Sequence, residues 1–125
     1  MKNTAFACML AVAATTLPAF ADIHDGIAVT ATERSIGAVT KAGSTVYTKS
    51  FDVVISNAAE APVDLSSLCF TAKTIDGQAF NLDTADETLI TGVLDAGANA
   101  TGFASFASQS VEVRFVASVH VSGDC

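Results

Sequence analysis

Two runs of alternating residues constrain this chain more than any other feature. From Tyr47 the odd positions carry Tyr47, Lys49, Phe51, Val53 and Ile55, and the even ones Thr48, Ser50, Asp52 and Ser56, with Val54 the exception. Near the C-terminus Val111, Val113, Phe115, Ala117, Val119 and Val121 share one parity, while Glu112, Arg114, Ser118, His120 and Ser122 take the other. A period of two sends alternate side chains to opposite faces of a pleated strand, so both runs read as strands with one buried face. Shorter strands are expected at 27–32, 68–75, 78–82, 88–94 and 101–106, with a one-turn helix at 84–87. Asp76-Gly77 reads as a hairpin turn, because glycine reaches the positive φ that such turns need. Seven short strands spaced by turn signals imply an all-β, two-sheet sandwich of the immunoglobulin or fibronectin-III type.

The N-terminus has a different character. Lys2 gives a positive start, residues 5–17 are almost wholly apolar, and Pro18-Ala19-Phe20-Ala21 ends in a small-x-small pattern before Asp22. These are the three parts of a secretory signal peptide, here residues 1–21, leaving one domain at 22–125. A lipoprotein anchor at Cys8 fits poorly, since only seven residues precede it and the apolar run continues past it. A retained membrane helix needs roughly 20 apolar residues, more than this run supplies. The expected product is secreted or periplasmic, with no membrane span. All 13 acidic residues follow position 21 but only five of the six basic ones do, so the processed chain is one unit more negative than the −7 of the whole. Nucleic acid is not an expected partner, because phosphate binding needs clustered Lys and Arg.

Loss of the leader removes Cys8 and leaves Cys69 and Cys125 in an oxidising compartment, where an intramolecular disulfide is the expected state. Such a bridge closes a loop of about 55 residues and contributes on the order of 4 kcal/mol through chain entropy. Intermolecular pairing, a metal pair or a reactive thiol are the alternatives. His24 and His120 are the only histidines, and neither has ligand spacing. Asp22, His24 and Asp25 gather at the new N-terminus, and Asp83, Asp86 and Glu87 in one loop, but the order of oxygen ligands of an EF-hand is missing. No metal, cofactor or catalytic residue is assigned. Asn99-Ala100-Thr101 fits the glycosylation sequon, which has meaning only in a eukaryotic secretory pathway. Phe103 and Phe106 have opposite parity, so a bulge intervenes or one faces out. With Tyr47 they are the candidate contact residues for a partner, beside the plainer reading of all three as core.

Three blocks carry a resemblance: Tyr47-Thr-Lys-Ser-Phe51 running to Ile55-Ser-Asn57, Asp64-Leu-Ser-Ser-Leu-Cys-Phe70, and Gly92-Val-Leu-Asp-Ala-Gly97 with Gly102-Phe-Ala-Ser-Phe106 and the terminal Cys125. Together they resemble, over nearly the whole processed chain, a family of small secreted bacterial proteins, long uncharacterised, that includes an interleukin receptor mimic. The resemblance implies a fibronectin-III-like sandwich, a Cys69–Cys125 bridge, a homodimer formed by strand exchange, and binding of host cytokines in place of catalysis. No motif carries over for the cytokine contact. The resulting expectation is a non-enzymatic protein-binding module with a virulence-associated, immunomodulatory role. A periplasmic or envelope-associated structural subunit needs the same features, and that alternative stays open. N-terminal sequencing of the exported protein is expected to begin at Asp22; a start at Met1 or a lipid-modified Cys8 would overturn the leader assignment.

Overall fold

The alternation builds strands, and the strands build most of the molecule. The computed structural model describes the backbone of residues 20–123 and the side chains of residues 25–123; residues 1–19, where most of the expected leader falls, and 124–125, with Cys125, lie outside the described residues. Its strands are β1 (Phe20–His24), β2 (Ile27–Lys41), β3 (Ser44–Asn57), β4 (Val63–Asp64), β5 (Cys69–Thr74), β6 (Ala79–Ala85), β7 (Val93–Leu94), β8 (Asn99–Ser108) and β9 (Val116–Ser122). One helical turn, α1 (Glu87–Ile90), and two 3-10 turns, Leu65–Ser67 and Val111–Phe115, complete the elements. Among the described residues no helix is long and apolar enough to cross a membrane.

Seven strands pair antiparallel in the order β1-β2-β3-β8-β6-β5-β9, and β4 with β7 forms a small second sheet. The large sheet folds over at β6, which serves two neighbours. Its first half pairs with β5, Asn81 opposite Thr71 and Ala79 opposite Lys73. After a register shift between Leu82 and Thr84 its second half pairs with β8, Ala85 opposite Ala104. The curl brings β9 back against β1 and β2, so that the two halves of one antiparallel sheet enclose a single core with the same face. That core takes Ile27, Val29 and Ala31 from β2, Phe51, Val53 and Ile55 from β3, Ala104 and Phe106 from β8, and Val116, Val119 and Val121 from β9. Phe51 and Phe106 meet edge to face at 6.1 Å.

Three sequence expectations are corrected. The C-terminal run is not one strand: Val111–Phe115 forms a 3-10 turn, capped where the Ser110 hydroxyl accepts the Glu112 N–H. A register shift opposite Thr74 then changes the parity, so Val116 is buried while Ala117 and Phe115 face out. The strand expected at 88–94 is α1 followed by the two-residue β7, and the helical turn begins three residues later than the sequence suggested. The strand expected at 27–32 continues to Lys41. Two-residue turns join β1 to β2 and β2 to β3, with φ of 49° and 82° at Asp25 and Gly26 and 50° and 83° at Ala42 and Gly43. Positive φ at both central positions matches the twist of the flanking strands.

At the end of β3 Asn57 is 1 % exposed and its side chain ties the loop that follows β3 to the end of β7. Its amide donates to the carbonyls of Ala61 at 2.9 Å and Leu94 at 3.0 Å, and its Oδ1 accepts the Ala59 N–H at 2.9 Å. Nearby, the Ser66 hydroxyl and N–H both donate to Asp64, which holds its carboxyl below the usual carboxylate range. Replacing Asn57 by Ala would leave buried donors and acceptors without partners, a loss of about 2–4 kcal/mol that urea unfolding measures. A change below about 0.5 kcal/mol would remove Asn57 from this role.

Candidate protein-contact surface

Among the described residues β1 pairs with β2 from Ile27 to Ala31, and the ladder of β2 with β3 runs to Lys41 opposite Ser44. From Thr32 onward every residue of β2 is exposed. On the other side β8 covers β3 from Ser56 to Tyr47. The distal hairpin therefore projects as an arm whose β2 edge meets no strand of the described fold. Its sequence explains this: residues 32–41 are mostly small, polar or charged, so the arm has little apolar surface to draw it into the core, and its own ladder holds it extended.

Register sorts the arm into two faces. Glu33, Ile36 and Ala38 oppose Phe51, Lys49 and Tyr47 and continue the core face of the sheet. On that face Lys49 is 7 % exposed. Its ammonium donates to the carbonyls of Val116 at 2.7 Å and Arg114 at 3.3 Å, lies 3.4 Å from the Glu33 carboxylate, and stands 5.6 Å from the Phe51 ring centre. The two carbonyls lie at the C-terminal end of the Val111–Phe115 turn, where backbone acceptors lack intrahelical donors and a cation is favoured. Lys49 thus closes that turn and fixes it to β3. The guanidinium of Arg114 lies 5.9 Å from the Tyr47 ring, and Phe115 stands 62 % exposed beside it. Glu33, Lys49, Phe51, Arg114 and Phe115 line an open groove of about 380 Å³.

The opposite face is more polar. A register shift between Glu33 and Ser35 places Arg34 at a bulge. Its guanidinium lies 3.6 Å from Asp52 and 5.5 Å from the Phe103 ring centre. Arg34, Ser35, Ser50, Asp86 and Phe103 surround a shallow cleft of about 530 Å³.

The anticipated contact residues separate accordingly. β8 pairs with β3 without a bulge, so Phe103 and Phe106 point to opposite faces. Phe103 is half-buried on the outer face, and Tyr47 is half-buried on the inner one. Phe106 is fully buried against Phe51 and is corrected from contact residue to core residue, because its inward parity places it under the second layer. Asp86 holds the backbone of β8: its Oδ2 accepts the Phe103 N–H at 2.9 Å. Among the described residues no three His, Cys, Asp or Glu side chains gather as a metal site would need. His120 and Ser118 meet at 2.7 Å, a contact that follows from their same-face spacing on β9. The side chain of His24 lies outside the described residues. Cys69 opens β5 opposite Ser122, and its expected partner Cys125 lies outside the described residues.

Sequence reasoning missed Lys49, Ile36, Val39 and Phe115 as surface-defining residues. Lys49 had a legible signal, a lysine on the inward parity of an otherwise apolar face. Lys49→Met is expected to cost about 2–4 kcal/mol by urea unfolding, since it strands two carbonyls and an acidic partner. Glu33→Gln, which removes only a half-exposed partner, is expected to cost less than about 1 kcal/mol. Equal effects would show that the ion pair, not the turn closure, is the stabilising contact.

Among solved structures the chain is similar to an ApaG protein from Pseudomonas aeruginosa, with 34% identity and a TM-score of 0.75 over 82% of this chain and 100% of that one. It is also matched to the secreted protein MPT63 of Mycobacterium tuberculosis, at 14% identity and a TM-score of 0.38 over 71% of this chain and 74% of that one. No curated protein matches it. The family described as Domain of unknown function (DUF4354) matches residues 1–123, and the chain belongs to that family.

Proposed function

We propose that this protein is an exported, non-enzymatic protein-binding domain. The observation that carries the reading is the open groove beside the hairpin: Phe115, 62 % exposed, lines it with Phe51, Lys49 and Arg114, and Ile36, 43 % exposed, lies opposite Lys49 on the same face. Exposed apolar side chains at the rim of such a groove are characteristic of contact surfaces. The resemblance to the interleukin receptor mimic family supports host cytokines as the partner class and a fibronectin-III-like description of the sandwich. It also supports a homodimer that exchanges strands, and an open sheet edge suits such exchange. A Cys69–Cys125 bridge completes the proposal, tying the tail to β5 near the point where β9 ends opposite it.

Two measurements test this. Surface plasmon resonance of the oxidised protein against a cytokine panel is expected to give a saturable response for at least one member, and a flat response throughout overturns the cytokine reading. Mass spectrometry under non-reducing conditions is expected to find Cys69 joined to Cys125. Reduction should then lower stability by on the order of 4 kcal/mol, less any native strain. Two free thiols in protein taken from its native compartment would overturn the bridge.

A further inference from the structure

We propose that the cleft on the outer face of the sheet, between Arg34 and Asp86, binds a neutral pyranose sugar. The site lies on the face opposite the groove and goes beyond the protein-binding reading.

The sheet makes the hollow, and the chain beside it makes the wall. Ser35 of β2 lies opposite Ser50 of β3, and Ser50 opposite Ser105 of β8, so small hydroxyl side chains run in one row across the strands. Small side chains leave room above the sheet between taller neighbours, and Ser35 and Ser50 line the resulting cleft of about 530 Å³. That volume falls within the roughly 300–1,000 Å³ of small-molecule sites. On one side the bulge between Glu33 and Ser35 presents Arg34 to the Phe103 ring. On the other, Asp86 grips both backbone groups of Phe103: its N–H donates to the Phe103 carbonyl at 3.0 Å, and its Oδ2 accepts the Phe103 N–H at 2.9 Å. The Thr88 hydroxyl donates to the Thr101 carbonyl at 2.7 Å. Gly102 permits this approach, since a Cβ there would lie 2.9 Å from both Asp86 Cβ and Thr88 Oγ1. The wall is therefore fixed before a ligand arrives.

The polar groups that converge on the cleft have hydrogen-bonding capacity left. Asp86 spends Oδ2 on β8, while its Oδ1 and the Ser35 hydroxyl have no partner among the described residues. Ser50 donates to Ser105 at 3.2 Å and keeps its acceptor lone pairs. Arg34 brings five N–H donors and is half-exposed, with one nitrogen 3.6 Å from Asp52. Donors and acceptors thus face one space, which suits hydroxyl groups because each both donates and accepts. Charge disfavours the ionic alternatives. Arg34 stands beside the carboxylates of Asp52 and Asp86, so an anion is repelled, and its guanidinium already occupies a face of the Phe103 ring on which an organic cation would stack. A pyranose combines a C–H surface for the half-buried Phe103 with a rim of hydroxyls for the polar groups.

The test titrates the purified exported protein with glucose, galactose, mannose, N-acetylglucosamine and maltotriose, following amide shifts by two-dimensional NMR. Glucuronate, glycine and putrescine serve as anionic, zwitterionic and cationic controls. At least one neutral sugar is expected to give saturable shifts at residues 34, 35, 50, 86 and 103 with a Kd on the order of 1 mM, and the controls to bind at least about tenfold more weakly. Maltotriose binding at least as tightly as glucose assigns the cleft to glycan chains, and binding of monosaccharides alone assigns it to free sugars; either result supports the proposal. Arg34→Ala gives up only an exposed ion pair and a ring contact, so it should melt like the parent protein while its affinity for the sugar falls at least about tenfold. No saturable shift with any neutral sugar, equal or tighter binding of a charged control, shifts confined to other residues, or an unaffected Arg34→Ala variant overturns the inference. The cytokine panel reads protein contacts, so its result stands whichever way the sugar titration falls.

Discussion

The ammonium group of Lys49 decides where the core of this molecule ends. Below it on β3, Phe51, Val53 and Ile55 are buried between the two layers; beyond it, Tyr47 is half-buried and the arm is open to water. A charge placed there would be costly if left unpaired, and the chain meets that cost by directing two backbone carbonyls and a carboxylate at it. The same contacts fold the Val111–Phe115 turn over the mouth of the sandwich. The turn shields the charge, the charge closes the turn, and Val113, with no exposure at all, carries the turn's side of the core.

How much of this was legible depended on what each segment buries. β3 announced itself, because burial on one face writes a two-residue period into the sequence. The Asp76-Gly77 turn was equally plain, and Gly77 has a φ of 94°. The distal half of β2 was invisible for the converse reason: residues 32–41 bury nothing, and backbone pairing to β3 leaves no mark on the order of side chains. Val111 to Phe115 misled, since a 3-10 turn preceding a shifted strand can carry the same alternation as a strand, and only the serine cap at Ser110 distinguishes them.

The contact surface was the least legible part. Tyr47 and Phe103 are half-buried on opposite faces, and Phe106 belongs to the core. Sequence reasoning sought exposed aromatics, whereas the groove is set by a 3-10 turn held to β3 through Lys49. Contact between segments so far apart in sequence is a tertiary property.

The first strand adds a temporal element. β1 spans Phe20 to His24, and the cleavage expected after Ala21 falls inside it. Export would then trim the partners of Ala31 and Thr30, leaving Asp22, Ile23 and His24 to pair with Val29, Ala28 and Ile27. The precursor and its product would differ in how much of β2 is sheathed.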